Sequence, residues 1–287
     1  MKLPAFEYAC PATVPEAVAL LGGRDGDAKA LAGGQSLVPM MAFRVASPSL
    51  LVDLRKIPGL RGINITKDGV RLGAMTRWRD IEDDARLDTA HPLLKAAVAH
   101  VAHYQIRNRG TVGGSIAHAD PAAEMPGIAV ACDAEIAVVG TAGSRVIKAD
   151  DFFIAPLTTA LTADEIIVEI RLPAWPAARR WAFQEFSRRR GDFAMAAAAV
   201  FYDIDASGKA DNAHIGAIGV GDRPTRLAAA EAEVNGKVVD VATSERAGLA
   251  ASAAVNPHDD IHASGAYRRS LIGTMVERAL QGAIGSP

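Results

Sequence analysis

Two short stretches do most to limit how this chain can fold: "AGGQS" at 32–36 and "TVGGS" at 111–115. Each sets adjacent glycines beside a hydroxyl residue at the end of an apolar segment. Without a Cβ, backbone N–H groups can point at an anion from close range. Ser36, Thr111 and Ser115 add hydroxyl donors, and Gln35 adds an amide. If the two stretches converge, they form a two-sided cradle for a pyrophosphate that needs no lysine. The plainer reading is two ordinary turns, and the glycine pairs alone do not decide between them.

Spacing removes two familiar nucleotide sites. No Gly-Lys-Ser/Thr occurs, so neither stretch is a P-loop, and neither has the GxGxxG spacing of a dinucleotide-binding crossover. Among 287 residues the formal charge is −2, which leaves no basic excess for nucleic acid. Pro4, Glu7 and Pro11 interrupt the N-terminal stretch before any signal-peptide core can form. The longest apolar run, "FAMAAAAVFY" (193–202), is far short of the ~20 residues that span a bilayer. A cytoplasmic location is expected. Cys10 and Cys132 are the only cysteines, too few for a disulfide framework or a four-thiolate iron–sulfur cluster. His100 and His103 lack an HExxH pattern or a cysteine partner, and no GxSxG elbow occurs, so no metal or catalytic set is assigned. His258, Asp259, Asp260 and His262 read as a surface cluster.

Along the chain, Thr13, Glu16 and Gly22 bracket a capped helix over "TVPEAVALLG". Strands are expected at 28–37, ending in the first Gly-Gly turn, and at 50–57. A strand leading into a helix covers 69–84, and one helix covers 91–108. A short helix (121–131) and strands at 134–140, 145–153 and 164–173 follow. At 173–181 the composition changes to "PAWPAARRW", the best domain boundary. Strands then run through 180–227 with a turn at Asp205–Gly208, and helices close the chain at 225–234, 242–254 and 265–282. Strand runs followed by helices indicate an α+β fold.

After the second glycine pair comes "AHADPAAE". Its carboxylates suit hydrogen bonds from ribose, ribityl or a ring N–H. Asp120 before Pro121 also suits a helix N-cap, and Glu124 suits the first helical turn. Both roles are compatible. In "SRRRGDFAMAAAA" (187–199), Phe193 is either an aromatic cap for a planar ring or a core residue opening a buried strand.

Four stretches together carry a family resemblance: "LAGGQSLVPMMAFRVASPSLLVDLRKIPGLRGI", "RLGAMTRWRDIE", "QIRNRGTVGGSIAHADPAAEMPGIAVACDAEI" and "SRRRGDFAMAAAAV". In order and spacing they resemble the FAD-binding medium subunit of molybdenum hydroxylases, the carbon monoxide dehydrogenase medium-chain and xanthine dehydrogenase FAD-domain family. The resemblance implies a two-part FAD-binding domain of the vanillyl-alcohol oxidase (PCMH) type over 1–177, split into 1–56 and 57–177. The C-terminal α/β domain typical of these medium chains follows over 178–287.

It implies that Ala32, Gly33, Gly34, Gln35, Ser36 and Leu37, with Thr111, Val112, Gly113, Gly114 and Ser115, hold the FAD pyrophosphate. Asp120 and Glu124 then lie along the ribityl and phosphate region, and His118 belongs with them to the cofactor-binding set. Ile167 supplies backbone contacts near the flavin, and Phe193, often tyrosine in relatives, lies near the isoalloxazine ring. Gln184 aligns with a flavin-contacting lysine of the xanthine dehydrogenase branch, and Gln35 stands where many relatives have histidine. A neutral Gln184 stabilises a flavin anion less than an ammonium does. The partners implied are an iron–sulfur small subunit with [2Fe-2S] clusters and a large subunit with the molybdenum cofactor, as a dimer of heterotrimers. The alternative is a stand-alone FAD-dependent oxidoreductase of the same superfamily.

Overall fold

A computed structural model describes residues 2–284 of the chain. Its first layer is a parallel three-stranded sheet in the order β1–β3–β2. It is formed by β1 (Glu7–Ala9), β2 (Ala28–Leu31) and β3 (Leu50–Asp53), with α1 (Val14–Gly22) and α2 (Leu37–Ala42) between them. All four residues of β3 are buried, as the central strand of a parallel sheet requires. Thr13 Oγ1 accepts from Glu16 N–H and starts α1, and the C-cap is Gly23, one residue beyond the expected Gly22.

The second layer is a five-stranded antiparallel sheet, ordered β4–β5–β10–β6–β7. Its strands are β4 (Ile63–Thr66), β5 (Gly69–Gly73), β6 (Glu135–Gly140), β7 (Gly143–Lys148) and β10 (Ile166–Pro173). Between β5 and β6 run α3 (Trp78–Asp83), α4 (Leu87–Ala90), α5 (Pro92–Val98), α6 (Tyr104–Arg107), α7 (Val112–His118) and α8 (Glu124–Ala131). After β7 come α9 (Ala149–Phe152) and the hairpin of β8 (Phe153–Ala155) and β9 (Thr158–Thr159).

Three expectations change here. The helix expected over 91–108 is two helices, because Ala102 turns left-handed (φ 43°) and the Arg107 guanidinium donates to Val101 and Ala102 carbonyls. The strand expected over 145–153 stops at Lys148, where α9 begins. The helix expected from Pro121 begins at Glu124 with Ala123 as N-cap. Asp120 instead accepts from Ala122 N–H at 2.9 Å, closing a turn just before that helix.

The third sheet is antiparallel, ordered β11–β12–β13–β14: β11 (Arg180–Phe186), β12 (Ala196–Ile204), β13 (Ala210–Ile218) and β14 (Thr225–Arg226). It is followed by α10 (Ala228–Val234), α11 (Val241–Ala254) and α12 (Gly265–Ile284). The alanine run now has a reason. Ala196, Ala198, Val200 and Tyr202 join the core under the last three helices, whereas Ala197, Ala199 and Phe201 join the core shared with α8. A strand with helices against both faces needs small side chains on both.

α8 binds the layers together. All eight of its residues are buried. A Cβ on Gly127 would overlap Ile218 of β13, and one on Gly216 would sit 2.6 Å from the Ala131 Cβ. The "PAWPAARRW" segment is likewise clamped rather than free. Trp175 packs on His91 (ring centroids 4.5 Å apart) and on Phe201 (5.2 Å). The Arg179 guanidinium lies over the Trp175 and Phe201 rings and pairs with Asp203 at 2.8 Å.

Candidate functional site

A cleft of about 1390 Å³ opens among the described residues. Pockets that enclose a drug-sized ligand run to ~300–1,000 Å³, so this one suits something longer. Its walls are the end of β2 and the loop after it, α7 and the start of β10, and the connecting segments 188–195 and 257–262 of the C-terminal part.

The two glycine motifs do meet. At Gly33 the space of a Cβ is filled by the Arg109 carbonyl and Gly110 Cα, so the first loop rests backbone to backbone on the approach to α7. Gly34 has φ +73° and turns the loop out of β2. Around it, the N–H groups of Gly33, Gly34, Gln35, Ser36 and Leu37 find no acceptor among the described residues. Five consecutive unpaired donors at a cleft wall are of the kind that suits an anion. The Gln35 side chain is folded back, its Nε2 donating to the Gly33 carbonyl at 3.0 Å. It serves the loop.

The second motif is not a loop. "TVGGSIAH" is the first turn and body of α7, with Thr111 as N-cap. Its N–H groups are already committed: Val112 to Thr76 O (2.9 Å), Gly113 to Ala74 O (2.8 Å) and Gly114 to Thr111 Oγ1 (3.1 Å). Gly113 has no room for a side chain, since a Cβ would sit 2.6 Å from that of Ala74. So the glycines at 33 and 113 let protein backbone approach protein backbone. The cradle is one-sided in N–H donors, and this side contributes the Thr111 and Ser115 side chains.

Ala32, Leu37, His118, Asp120, Glu124, Ile167 and Phe193 also line the cleft. Ile167 sits where β10 shifts register against β6, a break in the ladder at the cleft wall. Phe193 is 61% exposed and stacks on no ring among the described residues. That placement favours the capping reading over the core one.

Two expected residues are elsewhere. Val112 is fully buried in the core. Gln184 shares the strand face of Ala182 and Phe186, which pack toward α11 and α12, and it does not line the cleft. Strand alternation turns Glu185, with Trp181 and Phe183, to the opposite face. The 258–262 cluster, expected as plain surface, has a place in the cleft. His258, Asp259, Asp260 and His262 are exposed and line the cleft, anchored by buried Arg268, which donates to Met195 O, Gly219 O and Asp260 Oδ2 at 2.8 Å each.

Glu124 is 5% exposed, and burial first, then the Glu185 and Asp120 carboxylates, push its pKa up to about 8. The folded chain keeps this proton until about pH 8, whereas an unfolded glutamate releases it near 4.5. Folding stability therefore falls as pH rises between those values. No helix among the described residues is long and apolar enough to cross a membrane.

Known proteins match this architecture along its length. Residues 4–175 match the FAD binding domain in molybdopterin dehydrogenase, and residues 181–283 match the CO dehydrogenase flavoprotein C-terminal domain. The 6-hydroxypseudooxynicotine dehydrogenase complex subunit alpha of Paenarthrobacter nicotinovorans is 40% identical, with 99% of this chain and 96% of that one covered. The nicotine 6-hydroxylase medium subunit of the same organism is 39% identical, covering 98% of each. A solved carbon monoxide dehydrogenase from Hydrogenophaga pseudoflava superposes with a TM-score of 0.95 at 40% identity, over 99% of both chains. Fold and sequence agree, and the chain belongs to the FAD-binding medium subunits of the molybdenum hydroxylase family.

Proposed function

We propose that this chain is the electron-transfer subunit of a molybdenum hydroxylase, holding FAD in the cleft between its sheets. The observation that carries this is the row of N–H groups from Gly33 to Leu37, unpaired among the described residues, which lines a cleft of about 1390 Å³ together with residues of α7. The residues fit the group. The N–H row and the hydroxyls of Ser36, Thr111 and Ser115 suit a pyrophosphate, and the exposed Phe193 ring suits a flat heterocycle. FAD, when bound, supplies reversible two-electron chemistry. The chain's own task is to grip and orient it and to hold the surrounding charge. The domain division at 177/178 belongs to this reading, with the Trp175–Arg179 clamp at the junction.

Electrons come from an iron–sulfur small subunit and leave to an external acceptor, and a molybdenum large subunit oxidises the substrate. The assembly is a dimer of heterotrimers. Cys10 and Cys132 are free, and burial pushes the Cys132 thiol up to about 12, so neither supports a cluster in this chain. Two free thiols also suit a reducing cytoplasm. Relatives of nearly equal identity are named for a nicotine derivative and for nicotine, and the solved neighbour for carbon monoxide. That spread supports substrate choice residing in the large subunit.

The isolated chain is expected to purify with, or take up, one FAD and to be reduced by dithionite. It is expected to oxidise no organic substrate until the two partner subunits are added. Absorbance at the flavin band and a dye-reduction assay measure both. Substrate oxidation by the chain alone would establish the stand-alone flavoenzyme instead.

A further inference from the structure

One turn at the cleft holds a residue that the turn itself would not select. Pro156 and Leu157 join β8 to β9, with Ala155 paired to Thr158 across them. Leu157 has φ +55°. A turn with proline second and a left-handed residue third ordinarily takes glycine there, because a Cβ crowds the backbone in that region. A bulky apolar residue in that place is an outlier and is held at a cost. Of the described non-glycine residues with positive φ, three are Asp or Asn and two are Ala. The other long side chain among them, Arg44, does not line the cleft. Leu157 does, and it is 53% exposed, so burial of its own side chain does not offset the cost.

Its anchor fixes which part of a ligand the side chain meets. The Leu157 N–H donates to the Ala119 carbonyl at 3.1 Å, and Ala119 is the C-cap of α7. At the other end of that helix, beside the N-cap Thr111, Gly33 rests on Arg109 and Gly110, and the row of N–H groups begins. Eight residues at a rise of ~1.5 Å separate the two ends by about 12 Å. The chain after Ala119 leads to Phe193. The Pro121 carbonyl accepts from Gly219 N–H at 2.9 Å, and a Cβ on Gly219 would sit 2.6 Å from the carbonyl of Ala194, the residue after Phe193. Among the described residues that line the cleft, Leu157 and Phe193 are the large apolar ones left exposed. Both stand at the 119–121 end, away from the pyrophosphate end.

We infer that Leu157 is a positioning residue for the flavin, its side chain closing on the isoalloxazine ring at the Phe193 end of the cleft. The left-handed turn is kept because it sets that side chain at the ring. Apolar contact suits a flat ring and not a phosphate, and it keeps water from the ring. Of the two heterocycles of FAD, the isoalloxazine hangs on the longer, ribityl arm and suits the distant end. This rests on the FAD reading above, and the test tells the two apart.

FAD is titrated into the full-length chain and its Leu157→Gly, Leu157→Ala and Leu157→Met variants, with affinity read by quenching of flavin fluorescence. Glycine relieves the turn and alanine keeps its Cβ, but neither reaches the ring, whereas methionine does. The Gly and Ala variants are expected to bind FAD about 5- to 10-fold more weakly than wild type, to a similar degree, and the Met variant within about twofold of it. The fine structure of the flavin absorption band, sharpened by apolar surroundings, is expected to blur in the Gly and Ala variants only. Without flavin, Leu157→Gly is expected to melt no lower than wild type, since the turn is relieved and no buried side chain is lost.

Wild-type affinity in the Gly and Ala variants overturns the inference. So does full affinity in Leu157→Gly with a loss in Leu157→Ala, which would make the effect one of backbone strain. A lower melting point of flavin-free Leu157→Gly would give the leucine to the fold, and weaker binding with an unchanged band would place the contact off the ring. Either result overturns it as well. No FAD uptake by the wild type overturns the cofactor reading and this inference together, whereas uptake that none of the variants alters overturns this inference alone.

Discussion

Gly33→Val is expected to weaken FAD binding by about 10- to 100-fold and to leave most of the fold intact. The new Cβ would coincide with the Arg109 carbonyl and press on Gly110 Cα, both backbone atoms that cannot rotate away. The loop must therefore lift off the start of α7. Overpacking of this kind costs ~1–3 kcal/mol, and each ~1.4 kcal/mol is tenfold in affinity. The loss falls on binding because the displaced segment carries the row of free N–H groups, while β2 behind it stays paired to β3. Gly114→Val should act more mildly. Its Cβ meets Thr111 Oγ1 at 2.8 Å, so the damage is to a helix cap, worth ~1 kcal/mol. FAD titrations beside far-ultraviolet circular dichroism decide the matter. Unchanged affinity in Gly33→Val would remove the 32–37 loop from the site.

The second large effect is on stability. Gly127→Val is expected to destabilise the chain by about 2 kcal/mol, lowering Tm by roughly 4–8 °C for a protein of this size class. Replacing glycine inside a helix ordinarily gains ~1 kcal/mol at most. Here the gain is overturned because the side chain would enter the space of Ile218 on β13, where α8 meets the third sheet. Overpacking of ~1–3 kcal/mol, occasionally more, is the larger quantity. Adding Ile218→Ala should recover part of the loss, since the two positions touch and their effects are not additive. Thermal melts of Gly127→Val, Ile218→Ala and the double variant measure this. A stabilised Gly127→Val would mean that the α8 contact is looser than described.

Much of the candidate cleft was legible because its signals are local. Adjacent glycines mark close backbone approach, and a hydroxyl beside them marks a cap or a polar wall, as neighbouring residues already express. Strand and helix positions followed from periodicity, and the three sheets fall within 7–53, 63–173 and 180–226. The misreadings were also physical. Thr111 reads equally as a loop residue and as an N-cap. Only the acceptors at Thr76 and Ala74, about forty positions earlier in the chain, make "TVGGS" the start of a helix with its N–H groups filled.

By itself, then, the sequence determined the α+β class, the two glycine motifs, the domain-like break at 173–181 and the family they resemble. Each of these rests on residue type and short spacing. The tertiary structure alone decided what the glycines are for, since a missing Cβ does not say whether a ligand or another strand of backbone fills its place. It alone turned Glu185 rather than Gln184 toward the FAD-binding half and brought Glu185 into the electrostatic range of Glu124. Glu124 and Glu185 are sixty-one positions apart (185 − 124), and Glu185 adds to the burial that raises the Glu124 pKa only once β11 and α8 are packed together.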